Sequence, residues 1–212
     1  MTGSRRPPRG HGWSRPVERL LLIVGLIALG YYGWVSAEAR LYQAYENRAL
    51  DTLLAAAPRP ARGVTPAPAR RTPPRAGAAI GRIEIPRLGV SAIIRTGSDA
   101  RTLQLAVGHV PGTALPGEIG NVGLAGHRDT FFRRLEDIAP ADVIRLVTPE
   151  GQFAYRVERT DIVQPTDVWV LDDAAPRATL TLITCYPFTF VGSAPERFVV
   201  SATLQQPAPA PR

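Results

Sequence analysis

The stretch Thr179-Leu180-Thr181-Leu182-Ile183-Thr184-Cys185-Tyr186-Pro187 is a run of β-branched and aliphatic residues that closes on a cysteine and is stopped by a proline. Such a run reads as a strand. Proline rarely continues an interior strand, so the cysteine is expected at a strand end that opens into a loop, where a β scaffold exposes reactive groups. Working outward, Ile80 to Ile85, Val90 to Arg95, Asn121 to Ala125, Asp142 to Val147, Phe153 to Val163 and Arg197 to Leu204 read the same way. Thr148-Pro149-Glu150-Gly151 has the residue types of a hairpin turn between two of them. Many short strands with few helical stretches argue for an all-β barrel or sandwich over 80–205, followed by a Pro-rich tail over 206–212.

Before Ile80 the texture is different. Residues 20–37 carry no charge and lie between Arg19 and Glu38. At about 1.5 Å per residue they cover roughly 27 Å as a helix, enough to cross a hydrocarbon core. Tyr31, Tyr32 and Trp34 sit toward one end, where amphipathic rings favour the interface. Arg5, Arg6, Arg9, Arg15 and Arg19 precede the span, whereas Glu38 and Arg40 follow it in balance. This bias predicts a cytoplasmic segment over 1–19, a transmembrane signal-anchor in membrane lipid over 20–37, and an extracytoplasmic remainder. A cleaved signal peptide is the competing reading, because Val35-Ser36-Ala37 offers small residues to a peptidase; the length of the apolar run favours the retained anchor. Leu41, Tyr45, Leu50 and Leu53 or Leu54 recur with helical period, so 38–56 extends the helix as a stalk. From Pro58 to Ala79 the Pro, Ala and Arg mixture reads as a semi-extended tether, making 38–79 stalk and linker.

The formal charge of +7 invites a nucleic-acid reading, but its distribution removes it. Residues 1–79 hold 12 Arg against 4 acids, while residues 80–212 hold 13 Arg against 14 acids. The excess belongs to leader and linker, and no nucleic-acid partner is expected. A single cysteine excludes an intrachain disulfide, a paired-cysteine redox motif and a cysteine-rich zinc cage. No cofactor and no metal site are expected; Asp172-Asp173 offers at most weak cation binding.

The lone thiol is either inert packing or a reagent. It becomes a strong nucleophile as thiolate, a form that a nearby imidazole or guanidinium favours. His127 in Ala-Gly-His-Arg-Asp and Arg197 are the available groups, with His109 in Gly-His-Val-Pro-Gly further upstream. No periodicity links positions 127, 185 and 197. From spacing alone Cys185 equally reads as a buried small hydrophobe, His127 as a loop histidine and Arg197 as an ordinary strand charge.

Three ordered motifs resolve this. The stretch from Gly117 to Phe132 that contains Leu124-Ala125-Gly126-His127-Arg128-Asp129, together with Thr181-Leu182-Ile183-Thr184-Cys185-Tyr186-Pro187 and Pro195-Glu196-Arg197-Phe198-Val199-Val200, resembles the sortase family, especially its class D-like branch. The resemblance runs from about Ile80 to Leu204. It implies a closed eight-stranded β-barrel with short helices, in which His127, Cys185 and Arg197 face one groove as acid/base, nucleophile and oxyanion-stabilising group. It also implies that His109 and Thr184 line the substrate groove. The expected partners are exported proteins with a C-terminal sorting signal resembling Leu-Pro-x-Thr-Gly, and an amine acceptor at the cell surface. Two other readings remain open: a cysteine endopeptidase in which water resolves the acyl enzyme, and an anchored barrel that only binds a partner.

Overall fold

The computed structural model describes residues 14–56, 74–172, 177–190 and 192–205. Most of the expected cytoplasmic segment, the tether over 57–73, Asp173 of the weak cation site and the tail over 206–212 lie outside the described residues. A first compact unit ends at Glu38 and a second begins at Ala39. Helix α1, Ser14–Ala56, contributes to both. Its apolar stretch is long and apolar enough to cross a membrane, and its large side chains there, Leu20 to Trp34, stand exposed.

The second unit is built on eight strands: β1 (Ala79–Ile85), β2 (Val90–Thr96), β3 (Val107–His109), β4 (Gly120–Ala125), β5 (Val143–Thr148), β6 (Gly151–Val163), β7 (Ala178–Tyr186) and β8 (Glu196–Leu204). They close into a barrel in the order β1-β2-β3-β4-β7-β8-β6-β5, with β5 returning to β1. Closure leaves no open sheet edge. Neighbours are antiparallel except β2 with β3 and β4 with β7. A parallel pair needs a crossover; helix α2 (Ala100–Leu105) supplies the first, and the β5–β6 hairpin supplies the second on the way from β4 to β7. Asp99 starts α2 by accepting from Thr102 N at 3.0 Å, a cap that satisfies an orphan helix donor.

Seven of these strands coincide with the sequence expectation to within two residues, and the turn after Thr148 is where its residue types put it. Strand β3 and helix α2 were not foreseen. Val107-Gly108-His109 is too short to show a period, and it becomes a strand because its backbone pairs with Ile94, Arg95 and Thr96 on one side and with Leu124 and Ala125 on the other. Side chains of alternate residues fill the barrel: Ile83 and Ile85, Val122 and Leu124, Leu180 and Leu182, and Val200 and Ala202 all belong to one buried cluster.

The second half of α1 belongs to the second unit and packs on the barrel. Within the second unit, Leu50 packs on Ile93 and Ala106, flanked by Tyr42 and Leu54. The ladder between β2 and β3 begins only at Ile94, and the Gln43 amide occupies the position just before it, accepting from Ile93 N and donating to Leu105 O, both at 2.8 Å. Arg82 on β1 adds Asp51 at 2.9 Å and Asn47 at 3.2 Å. Residues 42–54 therefore cover one face of the second unit.

Candidate active site

Strand parity decides which side chains leave the barrel. On β4, Val122 and Leu124 point inward, so Asn121, Gly123 and Ala125 point outward and the next outward position is His127. On β7, Leu180 and Leu182 point inward, which puts Thr181, Ile183 and Cys185 outside. On β8, Val200 and Ala202 are inside, so Arg197 and Val199 are outside. Register then brings these positions together. Cys185 stands directly across from Arg197, and opposed residues of an antiparallel pair project from one face. Ala125 pairs with Ile183 in the parallel β4–β7 ladder, which carries His127 to the level of Cys185. Pairing thus places the three residues on the outer wall at the same end of the barrel, with His127 exposed and Cys185 partly exposed.

The strand ends that carry His127 and Cys185 are fastened to each other. Gly126 N donates to Ile183 O at 3.1 Å, and Thr184 Oγ1 donates to Gly126 O at 2.8 Å. Gly126 admits the Phe132 ring against its backbone: a Cβ there would meet Phe132 Cδ2 at 2.7 Å. The turn closes when Phe132 N donates to His127 O at 3.1 Å. Inside the barrel, beneath this end, Tyr186, Phe188 and Phe198 form an aromatic cluster with ring centroids 5.2 to 6.3 Å apart. Such packing is expected to stiffen the backbone after the thiol.

On the same wall, further down, the turn Val168–Leu171 lies across β4 and β7. Asn121 Nδ2 donates to Val170 O at 3.1 Å, Thr181 Oγ1 donates to Asn121 Oδ1 at 3.0 Å, and Leu171 fills the space that a side chain at Gly123 would need. This leaves Ala125, His127, Ile183 and Cys185 as the uncovered outward positions of the two strands. Val168 and Trp169 on the turn, and Phe190 after the thiol, are exposed apolar side chains beside that surface.

The charges at this end are cationic in the majority. Arg197 Nη1 donates to Glu196 O at 2.9 Å and Ala194 O at 3.2 Å. Arg128 is only 6 % exposed and grips Asp129 through two parallel bonds, Nε to Oδ1 at 3.0 Å and Nη2 to Oδ2 at 2.9 Å. Its remaining arm, Nη1, donates to Pro187 O at 2.6 Å. The hydrogen bonds to Asp129 hold the Arg128 guanidinium above its ordinary value against the opposing effect of burial, and Cys185 adds a smaller push in the same direction. Asp129 is correspondingly held below the usual carboxylate range, first by its bonds to Arg128 and further by the charges of Arg128, Arg133 and His127. Arg133 Nη1 reaches Phe188 O.

His109 and Thr184, both expected in the groove, point the other way. Thr184 follows the inward parity of Leu180 and Leu182, is 2 % exposed, and gives its hydroxyl to Gly126 O. His109 opposes Leu124, an inward residue whose β7 partner Leu182 lies three positions before Cys185, about 10 Å along the strand. Its Nε2 lies 2.8 Å from Ala114 O and 3.2 Å from Thr113 Oγ1. Burial holds its pKa below the ordinary histidine value. It lines a separate cavity of about 330 Å³ with Pro74, Thr96, Thr113, Leu115 and Glu118, in which none of the three outward residues takes part. Arg128 and Arg133 carried no role in the sequence. Arg128 stood in the quoted motif, but its partner Pro187 is 59 residues away and nothing local marks that contact.

Geometry of this kind can be compared with known proteins. A family model described as the sortase domain matches residues 83–205. The chain belongs to the sortase family. A sortase D of Bacillus subtilis is 39 % identical over 127 residues, 60 % of this chain and 64 % of that protein. The chain thus spans less than two thirds of the length of that curated relative. Among solved structures, a Clostridium perfringens sortase D5 transpeptidase is 31 % identical with a TM-score of 0.55, covering 60 % of this chain and 79 % of its own. A Clostridium perfringens sortase C solved with the C-terminal cell wall sorting motif is 28 % identical with a TM-score of 0.58, covering 62 % of this chain and 73 % of its own. The closed eight-stranded barrel is that of a sortase fold, as the motifs implied.

Proposed function

We propose that this sortase is a membrane-anchored cysteine transpeptidase that cleaves a sorting signal resembling Leu-Pro-x-Thr-Gly and transfers the acyl part to an amine at the cell surface. The observation that carries the reading is the common outward face of His127, Cys185 and Arg197 at one barrel end. In this reading the Cys185 thiolate attacks the Thr carbonyl carbon, and the carbonyl electrons move onto oxygen, where the Arg197 guanidinium stabilises them. Collapse breaks the Thr–Gly C–N bond, and the His127 imidazolium gives its proton to the departing Gly amine. A thioester on Cys185 results. An incoming amine attacks it, neutral His127 takes the amine proton, and the C–S bond breaks to return the thiolate.

Arg197 bonds two backbone carbonyls, Ala194 O and Glu196 O, both through Nη1, so a donor on Nε or Nη2 could serve a substrate oxyanion while those bonds hold the side chain. The relative solved with a sorting motif supports the substrate class. For the anchor, α1 supports a membrane crossing, and the five arginines before Leu20 support a cytoplasmic N-terminus with the barrel outside. The test is product analysis of a sorting peptide with and without an added amine. A new amide bond supports transpeptidation; free acid alone in both mixtures would replace it by hydrolysis, and an intact peptide would leave a binding barrel.

A further inference from the structure

Arg128 follows His127 in sequence, yet its side chain leaves the surface and is nearly as buried as the core. A buried cation persists when its donors are taken up, because an unpaired charge away from water is costly. All of its bonds serve the two loops that carry the acid/base and the nucleophile. Two go to Asp129 in the turn after β4, and the third crosses to Pro187 O, two residues beyond Cys185. Arg133, from the end of the same turn, reaches Phe188 O beside it. The crossing bonds therefore lie on the far side of the thiol from the Thr184–Gly126 bond, so the joint between the two strand ends is braced both before and after Cys185.

We propose that Arg128 is a positioning residue of this site, its guanidinium fork, set by Asp129, fastening the turn of His127 to the loop that follows Cys185. This rests on the transpeptidase reading of the same site. A planar fork with donors on three nitrogens suits this role, because two of them hold one carboxylate in plane and so aim the third at a fixed carbonyl. An ammonium is a point charge and cannot fix both directions at once. The fork also puts a permanent positive charge near the thiol. Charged and titratable groups reach that end from three places: His127, Arg128, Asp129 and Arg133 on the turn after β4, Tyr186 on β7, and Glu196 and Arg197 on β8. Arg128 is the one of these arginines whose side chain is closed off from direct contact with solvent.

The test compares Arg128→Gln, Arg128→Lys and Asp129→Asn in the full chain, each first checked for folding by circular dichroism and thermal melting. Two rates are read. One is alkylation of the single cysteine by iodoacetamide across pH, which needs no peptide substrate. The other is steady-state cleavage of a sorting peptide. Arg128→Gln should lower kcat by about 10- to 100-fold with little change in KM, the scale of a misplacement near 1 Å. It should also slow alkylation at neutral pH by about three- to tenfold. Arg128→Lys should recover most of the alkylation profile while kcat stays low, separating the charge from the fork. Asp129 is largely exposed, so Asp129→Asn keeps the test available if Arg128→Gln does not fold, with kcat expected to fall about three- to tenfold. A folded Arg128→Gln with unchanged kcat and alkylation profile overturns the proposal, as does unchanged kcat in Asp129→Asn when Arg128→Gln is unfolded. If the unsubstituted protein cleaves no peptide, the transpeptidase reading fails instead, and the alkylation profiles still decide whether Arg128 conditions the thiol.

Discussion

Replacing Thr184 by valine keeps the branching and nearly the size of a side chain that is 2 % exposed, and removes only the hydroxyl that donates to Gly126 O at 2.8 Å. No cavity opens, so the change reports on one bond between the strand end of Cys185 and that of His127. A net hydrogen bond contributes about 1 kcal/mol, and an acceptor left buried without its donor raises the loss to roughly 3 kcal/mol. For a domain of this size that is a fall in Tm of roughly 3 to 10 °C. The bond from Gly126 N to Ile183 O remains, so the strands stay paired while their tips gain freedom. We expect kcat to drop about tenfold. KM should hold, because the hydroxyl lies inside the barrel and meets no substrate. Melting by circular dichroism and steady-state cleavage of a fluorogenic sorting peptide measure both. A variant with unchanged Tm and kcat but raised KM would refute this reasoning and return Thr184 to the groove, where the motif resemblance had put it.

Other outcomes follow from the same geometry. Arg197→Ala should lower kcat by roughly 10² to 10³ with KM little changed, and Arg197→Lys should recover only part; steady-state kinetics would show otherwise if KM alone rose. A chain beginning at Ala39 should melt well above one beginning at Pro74, because the shorter chain uncovers Ile93 and Ala106 and loses both Gln43 bonds, a deficit of about 3 to 5 kcal/mol; equal melting would return residues 42–54 to a stalk. Acid should destabilise the fold in two steps. Buried His109 refuses a proton that the unfolded chain accepts below about pH 6.5, so stability falls as pH drops through that value, and His109→Gln should flatten that part of a Tm–pH curve. Asp142, held down chiefly by its hydrogen bond to Arg87, keeps its contribution above the unfolded value near 3.9 and loses it as pH falls further, which Asp142→Asn should remove.

Much of the barrel was legible because its long strands alternate and are punctuated by Gly and Pro. What escaped was set by pairing. Strand β3 has three residues and no pattern of its own. Residues 42–54 show helical period whether they stand free or dock, and the side chain that seals the docking is a polar one, Gln43, which hydropathy does not mark. Cys185, His127 and Arg197 were singled out by motif, and no spacing joined them, because where they stand relative to one another depends on the register of β7 with β4 on one side and β8 on the other. The inward direction of Thr184 escaped for a related reason: Leu182 and Ile183 are both apolar although they face opposite sides, so the run around the cysteine conceals which parity is inward. His109 shared a Gly-His pattern with His127, but it opposes an inward leucine. Arg128 lay in plain view, and only the fold brings Pro187 to it.

Intact-mass measurement decides whether Cys185 carries the acyl group. The protein is mixed with a sorting peptide, quenched in acid and weighed, then digested to locate the adduct. The single cysteine makes the assignment unambiguous. A mass gain equal to the acyl fragment that ends in Thr is expected, located on Cys185, discharged by added amine, and abolished in a folded Cys185→Ala. An adduct that persists in Cys185→Ala, or peptide cleaved by the native protein while its thiol stays unmodified and free to alkylate, would contradict it.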